Sequence, residues 1–320
     1  MSYNQEKYIR HTLDCLLAQQ CEYSFEIIIG DDGSKDNSRA IILEYQQKHP
    51  DIIKVMPEAP NKGILRNYTD IVRACSGKYI AFCHCDDYWH DPLKLQKQVS
   101  FLEKNPEYEF VHTDANVYLE NTDKTIFSFN TINQKDIPDG EVFESFFTSK
   151  FFIFTCSACY TRSAIEKYVN FDEFIQADFM YEDLPTWIEL SRHIKFKYLN
   201  DAMITYRVVE DSHSHPKHKE RKFVLMKGHY HMKKHFIRKY GLDKKIEQDF
   251  DIQHHSNKFN VAFNLNNYEQ AEDSFNFLKQ HNQAGIRLRL KKMILDTPVL
   301  YRSIKNFKTL IPFSNPATRS

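Results

Sequence analysis

The sequence predicts an α/β chain, a mostly parallel sheet flanked by helices with a helical region after it. Two apolar runs, Phe25–Ile29 and Tyr79–Cys83, end abruptly in polar, carboxylate-rich stretches, Gly30-Asp31-Asp32-Gly33-Ser34 and His84-Cys85-Asp86-Asp87. Helical sequence follows each. Buried parallel strands deliver polar side chains in this way to the carboxyl edge of a sheet, where ligands bind. Strand-like and helix-like segments then alternate as far as Val208, the pattern of a sheet covered by helices. Past residue 215 the chain becomes helical, charged and rich in histidine.

Each element has a local reason. Lys7–Gln19 reads as a helix with Tyr8, Leu13, Leu16 and Leu17 on one side, and Phe25–Ile29 as a strand. Asp36–His49 is a helix with Asp36 or Asn37 at its N-cap and Pro50 beyond its end. Ile52–Met56 is a short strand, Ile64–Cys75 a helix stopped before Gly77, and Tyr79–Cys83 a strand. Pro92–Lys104 is a helix with Asp91 as cap and proline at its first position. Glu109–Leu119 and Phe151–Tyr160 read as strands, Leu184–His193 as a helix, and Lys195–Tyr198 and Ala202–Val208 as two short strands. Residues 1–215 are read as one α/β domain and residues 216–320 as a basic helical region. Within the latter, Lys219–Lys239, Tyr268–His281 and Ile286–Leu310 have helical spacing, the last divided at Pro298.

A chain of 320 residues with 42% hydrophobic content can bury a sizeable core. Formal net charge is zero, yet residues 1–215 carry 22 Lys+Arg against 34 Asp+Glu, and residues 216–320 carry 21 against 9. An acidic half suits cation binding and a basic tail suits an anionic surface; equally, the two halves can complement each other. No apolar run approaches the roughly 18–20 residues of a membrane span. Met1–Glu6 is too polar for a secretory signal. Seven cysteines, an odd and scattered set, point to a reduced, cytoplasmic setting. Cys156 and Cys159 have CxxC spacing without a second pair or a histidine at zinc-site distance, so they read as buried strand.

Five motifs stand in order along the first two thirds of the chain. They are Tyr3-Asn4-Gln5-Glu6-Lys7-Tyr8-Ile9, Asp31-Asp32-Gly33-Ser34-Lys35-Asp36, Asn61-Lys62-Gly63 with Arg66-Asn67, Asp86-Asp87-Tyr88-Trp89, and Glu182-Asp183. Together they resemble family 2 glycosyltransferases, nucleotide-sugar enzymes of the GT-A fold. The resemblance implies an inverting transfer from a nucleotide-diphosphate sugar to a saccharide or lipid-linked acceptor, as in bacterial surface polysaccharide synthesis, with no nucleic acid involved. It implies that Asp31 and Asp32 bind the nucleotide, that Arg66 reaches the same moiety, and that Tyr3 lies in the turn contacting the base. Asp86 and Asp87 take the place of the family's acidic motif for Mn²⁺ or Mg²⁺, with Asp86 also contacting the diphosphate. His84 stands where the first acid of that motif would be, as a metal ligand, a donor to a phosphate or ribose oxygen, or a mark of weakened activity. Glu182 and Asp183 match the catalytic pair, Asp183 as general base; both can also cap the following helix. Trp89 and Trp187 suit either a sugar face or the core.

The family's first strand sits mid-sheet and leads into a turn matched here by Ser2-Tyr3-Asn4, yet nothing apolar precedes Ser2. Either the true start lies upstream, or another segment fills the slot, or the fold is poorly stable. That feature and His84 support a rival reading, a weakened or inactive nucleotide-sugar-binding relative. A nucleotidyltransferase fits less well, because the chain has only 8 glycines and no Gly-rich phosphate loop. Tyr206-Arg207 lacks the metal-ligating histidine that often follows in the family, a place His213 or His215 can take. His231 and His235, one turn apart on a Lys-rich face, read as solvated. Between Ile286 and Phe313, Arg287, Arg289, Lys291, Lys292, Arg302, Lys305 and Lys308 face the single acid Asp296. That pattern suits peripheral contact with an anionic membrane or a helix covering the acidic domain.

Overall fold

The structure, a computed structural model, describes residues 1–133, 137–148, 152–210, 212 and 219–297. It divides into two compact units, Met1–His218 with His231–Phe236, and Lys219–Tyr230 with Ile237–Ser320.

The first unit opens with α1 (Ile9–Leu17), β1 (Ile27–Ile29), α2 (Ser38–Lys48), β2 (Ile53–Val55), α3 (Ile64–Ala74) and β3 (Tyr79–Ala81). β1 and β2 pair in parallel, Ile27 opposite Ile53 and Ile29 opposite Val55. Their inner faces pack with Ile9, Leu13, Ile41 and Ile42 in one apolar cluster. Then follow β4 (Tyr88–Trp89), α4 (Lys94–Lys104), β5 (Tyr108–Leu119), β6 (Lys124–Ile126), α5 (Phe129–Asn133), α6 (Ser145–Thr148), β7 (Cys159–Thr161), α7 (Arg162–Tyr168), α8 (Phe171–Gln176), α9 (Asp183–Ser191) and β8 (Lys195–Val208). A six-stranded sheet runs β3-β7-β5-β8-β4, with β6 beside β5.

This sheet is mixed rather than mostly parallel. β5 and β8 form a long parallel pair, while β4, β6 and β7 pair antiparallel with their neighbours. A parallel neighbour needs a crossover of a dozen or more residues, and only Glu120–Asp123 separate β5 from β6. The two short strands expected at Lys195–Tyr198 and Ala202–Val208 form one strand, β8. Its register shifts where Thr113 and Asp114 face Leu199 and Ala202, so Asn200 and Asp201 form a bulge. The strand expected from Phe151 to Tyr160 is instead a single 3₁₀ turn, Thr155–Ser157, leading into the short β7. Cys156 and Cys159 are buried there all the same. Apolar runs of this length specify burial but not strand geometry.

β1 and β3 belong to different sheets, and no strand among the described residues lies between them. Met1 and Ser2 bridge their carboxyl ends. Ser2 N–H donates to Gly30 O at 2.9 Å, and Asp32 N–H donates to Ser2 O at 2.9 Å. Cys85 N–H donates to Met1 O at 3.1 Å, and the Met1 amine reaches Cys83 O at 3.3 Å. Ser2 is therefore in a parallel bridge with Asp31.

The second unit contains α10 (Lys219–Lys239) in part, with α11 (Lys244–Leu265), α12 (Tyr268–Gln280) and α13 (Ile286–Asp296). α11 was not expected, because its 22 residues carry few apolar side chains at regular spacing. Asp243 caps it by accepting from Lys245 N–H at 2.6 Å, and Phe259, Ala262 and Phe263 pack it against Ala271 and Leu295. His231 is exposed, as read, with its ring 6.3 Å from that of Phe179, whereas His235 is half-buried: its ring lies 5.3 Å from Phe179 and its Nε2 meets Glu173 Oε1 at 2.7 Å. His213, His215 and everything beyond Thr297, including Pro298, lie outside the described residues.

Phe110 anchors the larger sheet. Its ring stacks on Phe196 at 3.9 Å, meets Trp187 edge-on at 4.9 Å and lies over Tyr160 at 5.7 Å. Phe110→Ala is expected to cost about 3–5 kcal/mol in urea unfolding. The same change at Phe127, 66% exposed, should stay within about 0.5 kcal/mol.

Candidate active site

Three chain segments bring their acidic residues to the ends of β1, β3 and α9. At β1, Asp31 accepts from Ser34 N–H at 3.1 Å and Oγ at 2.5 Å, closing the turn on itself. Asp32 accepts from Lys62 N–H at 2.9 Å and Gly63 N–H at 3.1 Å, which pins the loop entering α3. Both aspartates are 5% exposed. Asn67 of α3 donates to Gly30 O at 3.1 Å, tying the helix to the same strand end. Tyr3 is 45% exposed beside the Ser2–Asp31 bridge, and Arg66 is exposed on the first turn of α3.

At β3 the three candidates diverge. His84 Nε2 lies 3.0 Å from Glu182 Oε1. Burial alone would lower its pKa, but the Glu182 hydrogen bond and the charges of Asp86 and Asp87 outweigh that and raise it to about 9. Asp87 is 3% exposed and accepts from Arg207 N–H at 2.9 Å; burial, then Asp86, pushes its pKa up to about 7. Asp86 is half-buried, and its carboxylate accepts no hydrogen bond from the described residues. Thr12 Oγ1 donates to the carbonyls of Cys85 and Asp87 at 2.9 and 2.7 Å, fixing the turn to α1.

Glu182 is the N-cap position of α9, but its side chain makes no cap bond and turns to His84 instead. Asp183 accepts from Leu184 N–H at 2.6 Å and from the Thr155 hydroxyl. Burial and then Glu182 lift its pKa to about 6 against those two bonds. Trp89 and Trp187 are 5% and 1% exposed and belong to the core.

Among the described residues of this site, Asp86 offers a carboxylate that would be open to a divalent cation. His84 is held by Glu182 and Asp87 by Arg207, and no cluster of three ligating side chains occurs among the described residues. That set fits an ion such as Mg²⁺, which takes one or two carboxylates and fills its shell with substrate phosphate and water. Asp86 is the residue that would hold it.

Two participants escaped the sequence. Arg207, at the end of β8, donates Nε to Asp86 O at 2.9 Å. Its guanidinium sits among the rings of Tyr8, Tyr88 and Tyr118 at 4.8, 5.5 and 5.4 Å. The Tyr206-Arg207 pair was the signal available for it. Thr155 had none, since its position depends on an irregular turn.

A family model described as glycosyl transferase family 2 matches residues 1–169. An uncharacterized protein of Mycobacterium tuberculosis is 46% identical over 107 residues, 33% of this chain and 31% of that protein. From Escherichia coli, UDP-Glc:alpha-D-GlcNAc-diphosphoundecaprenol beta-1,3-glucosyltransferase WfgD is 33% identical over 104 residues, 32% of this chain and 39% of its own. The matched region thus spans about a third of the length of these curated relatives. Staphylococcus aureus TarS superposes with a TM-score of 0.54 at 16% identity, over 97% of this chain and 53% of that one. The mannosyltransferase PcManGT of Pyrobaculum calidifontis, solved with GDP-Man and Mn²⁺, gives 0.56 at 13% identity over 98% and 86%. Those two likenesses are of fold, the GT-A fold.

The turn after β1 tolerates little change. Gly33 has φ +72°, and an added Cβ would lie 2.8 Å from Asn61 N. Gly33→Ala is expected to destabilise by about 1–3 kcal/mol and to speed amide exchange at Lys62 and Gly63, read by mass spectrometry. Unchanged exchange there would show that the turn does not hold the loop.

Proposed function

We propose that this chain, which belongs to glycosyl transferase family 2, moves a sugar from a nucleotide-diphosphate sugar to a saccharide or lipid-linked acceptor, with inversion at the anomeric carbon. The observation that carries the reading is the 3.0 Å contact of His84 with Glu182. It joins the acidic turn after β3 to the acidic pair heading α9, segments far apart in sequence. Donor diphosphate at the first and acceptor hydroxyl at the second is the division of labour that sugar transfer needs.

In this reading Tyr3, Arg66 and the Asp31–Ser34 turn receive the base and ribose. Asp183 takes the proton of the acceptor hydroxyl while that oxygen bonds to the anomeric carbon. The bond from this carbon to the phosphate oxygen breaks, and its electrons leave with the nucleoside diphosphate. A base with pKa lifted toward neutrality drives such a proton transfer better than an ordinary carboxylate. Glu182 acts through others: it positions His84 and raises Asp183. A Mn²⁺ or Mg²⁺ ion at Asp86 would neutralise charge on the departing diphosphate. The name of the Escherichia coli relative, with its diphosphoundecaprenol-linked acceptor, supports a lipid-linked acceptor; the role that goes with this reading is in bacterial surface polysaccharide synthesis. Seven free thiols suit a cytoplasmic setting.

Asp183→Asn should lower transfer by about 10²–10⁴ and leave binding of UDP or GDP nearly unchanged by calorimetry. Turnover above about a tenth of the parent would exclude the general-base role. Because the base must be deprotonated, kcat/KM should fall as pH drops through about 6. Turnover with no donor from a nucleotide-sugar panel, despite intact binding, would favour the non-catalytic relative.

Cation dependence is separable from catalysis. Nucleoside-diphosphate affinity should rise with Mn²⁺ or Mg²⁺ over chelator, and Asp86→Ala should erase that gain. Equal affinity under all conditions would remove the cation from the scheme.

A further inference from the structure

Helix α13 carries apolar side chains on two faces, an inner one where Leu288, Ile294 and Leu295 meet the helical core and an outer one. Its buried face carries Lys292, 7% exposed, whose ammonium meets Glu272 at 2.5 Å and also pairs with Asp296. Leu295 lies beside it in the apolar cluster of Phe259, Ala262, Phe263 and Ala271. Its outer face presents Ile286, Leu290 and Met293, which are 79%, 49% and 54% exposed. These three are spaced i, i+4 and i+7, so they form one continuous stripe along the helix. Single exposed apolar residues are ordinary, whereas an aligned set on a helix whose lysine is turned inward points to a second surface.

The charges beside the stripe say what kind of surface. At about 3.6 residues per turn, Arg287 falls on one flank of the stripe and Arg289 on the other, and both are exposed. A cation on each side of an apolar ridge is the arrangement of a helix lying in a bilayer interface, its stripe among the acyl chains and its long basic side chains reaching the headgroups. The sequence adds to this: residues 298–320 contribute Arg302, Lys305, Lys308 and Arg319 without a single acid. No described helix is long and apolar enough to cross a membrane, so the contact is one of lying on it.

We infer that the Ile286–Leu290–Met293 stripe of α13, flanked by Arg287 and Arg289, docks the protein on an anionic lipid bilayer. It extends the proposed function, since a lipid-linked acceptor would be presented at that surface. The two are tested apart, because docking is measured without donor or acceptor.

The full chain is mixed at low salt with vesicles of equal parts phosphatidylglycerol and phosphatidylcholine, or of phosphatidylcholine alone, and sedimented. Co-sedimentation is expected with the anionic vesicles, weaker by at least about tenfold with the neutral ones and reduced at high salt. The triple variant Ile286→Ser/Leu290→Ser/Met293→Ser should lose binding while its thermal unfolding midpoint stays within a degree or two of the parent's, about what exposed positions allow. Arg287→Gln/Arg289→Gln should weaken it and flatten the salt dependence. Failure of the parent chain to sediment with anionic vesicles overturns the inference, as does binding that survives the triple variant. Light scattering that shows a lipid-free dimer dissolved by the triple variant would assign the stripe to a second copy and overturn it as well.

Discussion

Burying a carboxylate without a partner costs several kcal/mol, and this chain buries Asp31, Asp32, Asp87 and Glu182 around the ends of two strands and one helix. Three of them find a partner from another segment, and Asp31 finds one in its own turn. Asp32 gathers the backbone entering α3, Asp87 takes the amide of Arg207 at the end of β8, and Glu182 takes the imidazole of His84. Asp31 closes the turn between them on Ser34. Satisfying Asp32, Asp87 and Glu182 ties together segments far apart in the first unit.

The same constraint sorts scaffold from chemistry. Asp32 and Asp87 stand at strand ends as candidate ligands, but both oxygens of Asp32 and Oδ1 of Asp87 accept from backbone amides. The Asp86 carboxylate accepts no hydrogen bond from the described residues, whereas Asp183 accepts from Leu184 N–H and the Thr155 hydroxyl and is set apart by a pKa raised toward neutral pH. The proposed roles draw on the open carboxylate of Asp86 and the raised pKa of Asp183 together with the motifs. Arg207 shows how closely the scaffold serves the site: one residue holds the carboxylate of Asp87 and the carbonyl of Asp86 while three tyrosine rings hold its own guanidinium.

The split between β1 and β3 belongs to the same picture. Met1 and Ser2 reach only the carboxyl ends of these strands, where the acidic turns begin, and bond to both. The turns are therefore registered with each other at these ends, although the strands behind them lie in separate sheets.

Local chemistry was enough to determine the apolar runs, most helix ends and the five motifs, because burial and capping depend on residues a few positions apart. The α/β class and the GT-A resemblance were legible at that level. The mixed sheet, the single bulged β8 and the turn at Thr155–Ser157 were not, because strand direction and register depend on partners far along the chain. α11 was missed for a related reason: its few aromatic residues make a helix face only when α12 and α13 supply the other side. The site divided in the same way. Sequence identified which carboxylates stand at strand ends. Only the tertiary structure decided which would be consumed by backbone amides and a histidine and which would stay available, since a buried charge is assigned by whatever donors the fold brings within about 3 Å.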